Sequence, residues 1–286
     1  MKKRIYIEIS NICNLSCSFC PPIKREKRRM RVEEFRRVMD ECAPIASEIY
    51  LHLLGEPLMH PELDSLLTVA ETYGVPVCIT TNGFLLPKCG NVLLKHSEII
   101  KKVNISLQSY EANRATCSLV AYLDGCVAFA KMASEANIYA IFRLWNMDSE
   151  ERSGWNAQNE EILQFLHRTY PEEWQKRYSG YRIGKNTFLE CAEIFEWPSE
   201  SEAVAVTSGR CHGLISQIGI LADGTVVPCC LDSEGEIALG NIFTSHLSDI
   251  LNGTRASAME QAMRCELFTE RLCQSCTYAR RFSTKK

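Results

Sequence analysis

The sequence has no apolar run long enough to cross a bilayer, and its opening Met1-Lys2-Lys3-Arg4-Ile5 is not followed by the core of a secretion signal. A membrane span or export is therefore not expected, and the cytoplasm is the default location. Strong charge is missing too: 32 Lys and Arg against 35 Asp and Glu leave a net −3, with no general pull toward nucleic acid or membrane. Composition is otherwise that of an ordinary globular chain, 46% hydrophobic and 23% charged. At 286 residues there is material for one barrel-sized domain and a smaller appendage.

Cysteine is what the sequence has in quantity, 15 residues in all. Without an export signal, disulfides are not expected, and C-x2-C-type spacings read as metal or cluster ligands. Three of the thiols, Cys13, Cys17 and Cys20, follow the alternating run Ile5-Tyr6-Ile7-Glu8-Ile9, so they sit on a loop at the carboxyl end of a first strand. A C-x3-C-x2-C spacing lets three thiolates converge, as soft ligands must to hold an iron–sulfur cluster. Three ligands leave one iron of a four-iron cluster open to a further molecule, whereas a structural zinc, the alternative reading, is closed.

Along the chain, apolar strands alternate with amphipathic helices. Val32 to Cys42 carries Val32, Phe35, Val38 and Met39 on one face, and Pro44 ends it. Glu48 to Leu54 is a strand that breaks at Gly55-Glu56-Pro57. A helix from His60-Pro61-Glu62-Leu63 to about Tyr73 is stopped by Gly74. Val75 to Thr80 is a third strand, followed by Thr81-Asn82-Gly83, and Val103 to Ser109 a fourth. A helix over Leu119 to Ala136 leads to a fifth strand, Ile138 to Trp145. The alternation predicts an α/β parallel sheet with right-handed crossovers. From Asp148 to Glu202 the pattern blurs, apart from a helix near Glu160 to Arg168 and the apolar patch Phe188 to Trp197; Pro198 to Glu202 reads as a linker. The basic run Lys24 to Arg31 is either a solvated loop or a lure for an anionic substrate beside the cysteine loop.

Beyond the linker come Cys211, an apolar run Ile215 to Ala222, Asp223-Gly224, and a second run Thr225 to Cys230, a hairpin pattern. A helical segment from about His246 to Arg264 precedes Cys265 and a closing Cys273-Gln274-Ser275-Cys276. Cys211, Cys229, Cys273 and Cys276 supply four thiolates, enough for a closed cluster or for zinc. Cys229 and Cys230 alternate in direction on a strand, and Cys229 is taken as the ligand. Cys42, Cys78, Cys117, Cys126 and Cys191 lack such spacing and are expected to be small buried residues.

The C-x3-C-x2-C loop, with Phe19 just before its third cysteine, closely resembles the radical S-adenosylmethionine (SAM) superfamily. The resemblance implies a partial (βα)6 TIM-like barrel over residues 1–202, of which 148–202 would be the last unit plus an insertion. It implies a 4Fe-4S cluster on Cys13, Cys17 and Cys20 whose open iron chelates SAM. Gly55 and Glu56 match the family's Gly-Gly-Glu motif for the SAM amino group, with Leu54 where the first glycine stands. Asn82 belongs to a Thr-Asn-Gly that lines the pocket, Ser106 matches a polar position on the ribose or carboxylate, and Arg143 one that grips the carboxylate. Phe19 would lie near the adenine.

Residues 203–286 resemble the SPASM or shortened twitch extension, a small β-hairpin plus helix domain, through Asp-Gly-x-Val-x-Pro-Cys, Leu239 to Asn241 and the final C-x2-C. That resemblance breaks the tie with zinc in favour of an auxiliary 4Fe-4S cluster. A full SPASM domain has a dense central cysteine run that this sequence lacks, so one auxiliary cluster is expected. The four-cysteine spacing resembles in particular radical SAM dehydrogenases of aminoglycoside biosynthesis, which oxidise a secondary alcohol. The implied activity is reductive cleavage of SAM to a 5′-deoxyadenosyl radical that takes hydrogen from a substrate carbon, a net two-electron oxidation. A reducing partner such as a flavodoxin or ferredoxin is implied. The substrate is expected to be a small molecule or a peptide: the chain starts at the first barrel strand without a leader-binding domain, which a free-standing partner could supply. A peptide-modifying maturase and a non-catalytic iron–sulfur carrier are the alternatives.

Overall fold

The computed structural model describes residues 2–147, 157–177, 179–200, 203–204 and 206–282. In chain order its strands are β1 (Lys3–Ile7), β2 (Ala46–Tyr50), β3 (Val77–Thr81), β4 (Ile100–Ser106), β5 (Tyr139–Leu144), β6 (Gln175–Arg177), β7 (Gly180–Gly184), β8 (Thr187–Cys191), β9 (Gln217–Ile220), β10 (Thr225–Val227) and β11 (Gly240–Asn241). β1 to β5 and then β8 stand side by side, all parallel. Between them run the helices α1 (Val32–Cys42), α2 (Leu63–Glu71), α3 (Leu86–Lys95), α4 (Leu119–Glu135) and α5 (Ala157–Thr169). This is the expected α/β partial barrel.

α1 shows how the pattern becomes structure. Phe35, Val38, Met39 and Cys42, spaced three and four apart, are fully buried. Glu34 turns back to accept the Arg31 backbone N–H at 2.9 Å, and Glu33 and Glu34 place negative charge at the positive end of the helix. On β1, Ile5 and Ile7 join the main apolar core with Phe35, Met39 and Leu66, while the alternate residues Arg4 and Tyr6 line the interior cavity.

The blurred stretch resolves into a β-excursion. β7 runs antiparallel to both β6 and β8, so the sixth parallel strand is reached through a three-stranded meander. Short, half-exposed strands give little periodicity, which is why the sequence reading saw only an apolar patch there. Residues 148–156, where that reading begins, and Ser201 and Glu202 of the linker lie outside the described residues.

The C-terminal region is joined to the barrel by main-chain pairing. β9 lies parallel to β1 with Ile5 opposite Ile218, β10 returns antiparallel, and β11 follows, giving one eleven-stranded sheet in the order β11-β10-β9-β1-β2-β3-β4-β5-β8-β7-β6. The β9–β10 turn is the expected Asp223-Gly224; Gly224 has φ +85°, and a Cβ there would come within 2.5 Å of the Phe243 ring. The single helical segment expected over 246–264 is instead two helices, α6 (Leu247–Leu251) and α7 (Thr254–Arg264), because Gly253 between them is extended. α8 (Arg271–Ser275) carries the closing cysteine pair.

Most of the basic run is exposed, as a solvated loop would be, and Lys27 lines the cavity, but Arg25 and Arg28 turn inward. Arg25 clamps Glu8 through both terminal nitrogens at 2.9 and 2.7 Å and gives its Nε–H to the Ser233 carbonyl. Glu8 is fully buried and also accepts the Ala222 backbone N–H at 3.0 Å. Arg28 gives its Nε–H to the Ala222 carbonyl and pairs with Glu34. Through Arg25 and Arg28 the run staples the loop after β1 to the C-terminal hairpin; the Ser233 and Ala222 partners lie about two hundred residues away, where no local pattern reports them.

Candidate functional site

The loop leaving β1 carries Cys13 and Cys20 exposed and Cys17 half-buried. Its shape is set from outside. Ser18 gives its backbone N–H and its hydroxyl to Glu111 at 3.0 and 2.5 Å, and the Phe19 carbonyl accepts the Trp197 indole N–H at 2.9 Å. Burial pushes the Cys13 thiol up, and the Leu15 N–H on its sulfur pulls the other way. Trp197 and Glu111 were invisible to sequence reasoning because nothing local links them to the loop.

Glu56 and Asn82 tie three strand ends together. Gly55 has φ +74°, and a Cβ on it would stand 2.2 Å from the Ser10 carbonyl oxygen, so the approach of the β1 and β2 ends requires glycine. Glu56 is 1% exposed, and its carboxylate accepts the backbone N–H groups of Leu58 at 3.0 Å and Asn82 at 2.7 Å. Burial outweighs those bonds and raises its pKa to about 7. Asn82 donates to Asn14 Oδ1 at 2.9 Å and points the same amide at Cys13 Sγ, 3.8 Å away. Its carbonyl takes the hydroxyls of Ser109 and Tyr122, at 3.0 and 2.7 Å. Ser106 is half-buried at the end of β4; its carbonyl accepts the Ser109 hydroxyl at 2.6 Å. Arg143 stacks over Trp145 with its carbon 4.3 Å from the ring centroid and gives Nε–H to Glu190 at 3.1 Å, half of an ion pair.

Phe19, Gly55, Glu56, Asn82, Ser106 and Arg143 line one cavity of about 790 Å³, and so do Cys13, Cys17, Cys20, Cys211, Cys229, Cys230, Cys273 and Cys276. The structure thus brings both cysteine sets and every expected cofactor-contact residue to a common wall. Cys230, Cys211 and Cys273 all act electrostatically on the Cys229 thiol, while Cys230, also within reach of Cys211, shares a hydrogen bond with the Tyr6 phenol. Burial pushes up the thiols of Cys211, Cys229, Cys273 and Cys276. Cys126 lies behind the Asn82-Gly83 turn, 3.9 Å from the Gly83 carbonyl, and neither it nor Cys117 is on the cavity wall. Cys42, Cys78, Cys126 and Cys191 are buried as expected, and Cys117 is half-buried.

The donor set fits iron–sulfur clusters. Soft thiolates in groups of three and four are what clusters use. Among the described residues no three His, Cys, Asp or Glu side chains close on a single ion.

Comparison with known proteins agrees with this geometry. A profile described as the radical SAM superfamily matches residues 7–144, and one described as an iron–sulfur cluster-binding domain, SPASM, matches residues 211–277. A GTP 3′,8-cyclase from Alkaliphilus oremlandii is 23% identical over 310 aligned residues, covering 92% of each chain. BtrN, solved in complex with AdoMet and 2-DOIA, superposes with a TM-score of 0.59 at 16% identity, over 97% of this chain and 93% of its own. The anSMEcpe structure with bound AdoMet and Cp18Cys peptide superposes with a TM-score of 0.62 at 12% identity, over 99% and 91%. No helix among the described residues is long and apolar enough to cross a membrane.

Proposed function

The chain belongs to the radical SAM superfamily, with a SPASM iron–sulfur region after its barrel, and on that premise we propose that it is an oxidoreductase acting on a carbon of a small-molecule substrate. The observation that carries this reading is the single cavity shared by the two cysteine sets. A cluster held by Cys13, Cys17 and Cys20, with SAM bound beside it, would supply radical chemistry able to take a hydrogen atom from the substrate.

The protein's part is to hold and orient. Cys13, Cys17 and Cys20 hold the first cluster, and Asn82, anchored by Asn14, Ser109 and Tyr122, fixes the loop beside Cys13. Glu56 faces the SAM ammonium, with Gly55 bringing the turn close, while Ser106 and Arg143 serve the ribose and carboxylate, and Phe19 flanks the adenine. Glu56 is held in place by two backbone N–H groups, so a cation meets a carboxylate already oriented. Cys211, Cys229, Cys273 and Cys276 would hold the auxiliary cluster, which would supply an electron acceptor inside the same enclosure. A net two-electron oxidation is the outcome this reading assigns, with a low-potential carrier such as a flavodoxin or ferredoxin as reducing partner.

Anaerobic reconstitution with iron and sulfide tests the reading. The intact chain is expected to hold about eight irons and a Cys13, Cys17, Cys20→Ala variant about four. Only the intact chain should release 5′-deoxyadenosine when SAM and a reductant are added. A variant that keeps all its metal, or an intact chain that leaves SAM untouched, sinks the proposal.

A further inference from the structure

The lower part of the cavity is built from residues that hold neither a cluster nor SAM. Tyr6 on β1 stacks on Tyr50 on β2, 4.7 Å between centroids at 19°, and His52 stands edge-on to both, at 5.7 and 5.9 Å. The Lys102 ammonium lies 5.0 Å from the Tyr50 ring centroid. Arg4, two residues before Tyr6 on β1, lines the same wall. Lys102 is four residues before Ser106 on β4, about 13 Å lower at the usual rise of a strand.

The charges here are unbalanced. Among the described residues, the carboxylates nearest this wall are engaged: Glu8 by Arg25, Glu48 by Lys101 and the Tyr50 hydroxyl, and Glu190 by Arg143. Glu56 and Asp232 are engaged by backbone N–H groups. Among the described residues, the Arg4 side chain makes no hydrogen bond or ion pair, and Lys102 has only the Tyr50 ring, with Glu48 acting on it from beyond contact. Both cations are half-buried. His52 adds a donor. Its Nδ1 is buried without a partner, so the tautomer that strands no N–H carries its proton on Nε2. Burial, with Arg143 and Lys102 nearby, lowers its pKa to about 3, so it stays neutral. Two half-buried cations and a neutral N–H donor beside an aromatic wall are complementary to a ligand oxyanion.

We propose that Arg4, Lys102 and His52 form an oxyanion subsite that takes the carboxylate or phosphate of the small-molecule substrate and points its reacting carbon up toward the Cys13, Cys17 and Cys20 end. This rests on the radical SAM reading and supplies the substrate class that reading leaves open. It separates a compact anionic substrate from a peptide backbone, which presents no such charge at a fixed depth.

Calorimetric titration of the reconstituted, SAM-loaded protein with malonate, inorganic phosphate and neutral malonamide, at constant ionic strength, tests the subsite. Saturable binding of malonate or phosphate, with malonamide at least tenfold weaker, is expected, and whichever anion binds tells carboxylate from phosphate. Lys102→Met and Arg4→Met should each weaken that anion about tenfold or more, and Lys102→Arg should recover most of it. Iron content reports folding of each variant, and Lys102→Gln stands in should the Met variant fail to hold iron. If neither anion binds, if malonamide binds equally well, or if both Met variants bind as the parent does, the subsite is refuted. Release of 5′-deoxyadenosine by the parent is scored separately, so failure of the subsite and failure of the radical reading are told apart.

Discussion

Cys13 and Cys20 stand exposed on a loop whose shape is imposed by Glu111, Trp197, Asn82 and Arg28, whereas Cys211, Cys229, Cys273 and Cys276 are half-buried in and around a hairpin and a short helix. An exposed donor set that other segments hold in place can admit a ligand from solution. An enclosed set excludes water, and its thiols are pushed up by that enclosure, so loading must drive off protons against burial. One cavity wall therefore carries a site suited to exchange and a site suited to retention.

The contrast is broken most sharply at the paired cysteines on the hairpin. Cys229→Ala is expected to cut reconstituted iron from about eight to about four per chain, while Cys230→Ala leaves it near eight. Iron analysis of the two variants decides it, and the reverse pattern would exchange the roles of two neighbours that both line the cavity just beyond β10.

A smaller effect is expected at the staple between the two regions. Arg25→Met leaves Glu8 buried with only the Ala222 N–H for a partner, a loss of about 3–5 kcal/mol. Denaturant unfolding of the variant should show that drop, and limited proteolysis should cut first in the C-terminal region. Unchanged stability would mean the β1–β9 ladder alone holds the two regions together.

The mildest test concerns the exposed site's buried carboxylate. The folded pKa of Glu56, about 7, lies above its ordinary 4.5, so the folded chain binds the extra proton between those values. Its contribution to stability is present below pH 4.5 and is lost as pH rises through 7, on the order of 3 kcal/mol. Glu56→Gln removes that slope. Its amide also opposes a backbone N–H, a constant offset, so the readout is the pH dependence: without SAM, the stability gap between parent and variant should shift in the variant's favour from pH 5 to pH 8.

Much of the first five strands was legible because they are apolar runs, β2 and β3 followed by turns at Gly55 and Gly83 with positive φ; α1 falls on Val32 to Cys42 as its spacing indicates. Gly55, Glu56 and Asn82 were legible as a motif, and the structure brings them together at the strand ends. What escaped depends on distance along the chain. Arg25 and Arg28 look like surface charge until Ser233 and Ala222 are placed beside them, and Trp197 looks like core until its indole meets Phe19. β8 was hidden by the meander that precedes it. Arg4 and Tyr6 were readable in principle, since they alternate with the core residues Ile5 and Ile7.

The parallel pairing of β1 with β9 also governs how the chain folds. Ile5 and its partner Ile218 are separated by more than two hundred residues, so one edge of the barrel's initial strand stays unpaired until nearly the whole polypeptide is available. Closing so long a loop adds entropy cost only slowly with length, but it delays the reward until late and makes folding slow. In that interval β1 offers an open hydrogen-bonding edge beside three thiols, the combination most exposed to strand-pairing aggregation and adventitious oxidation.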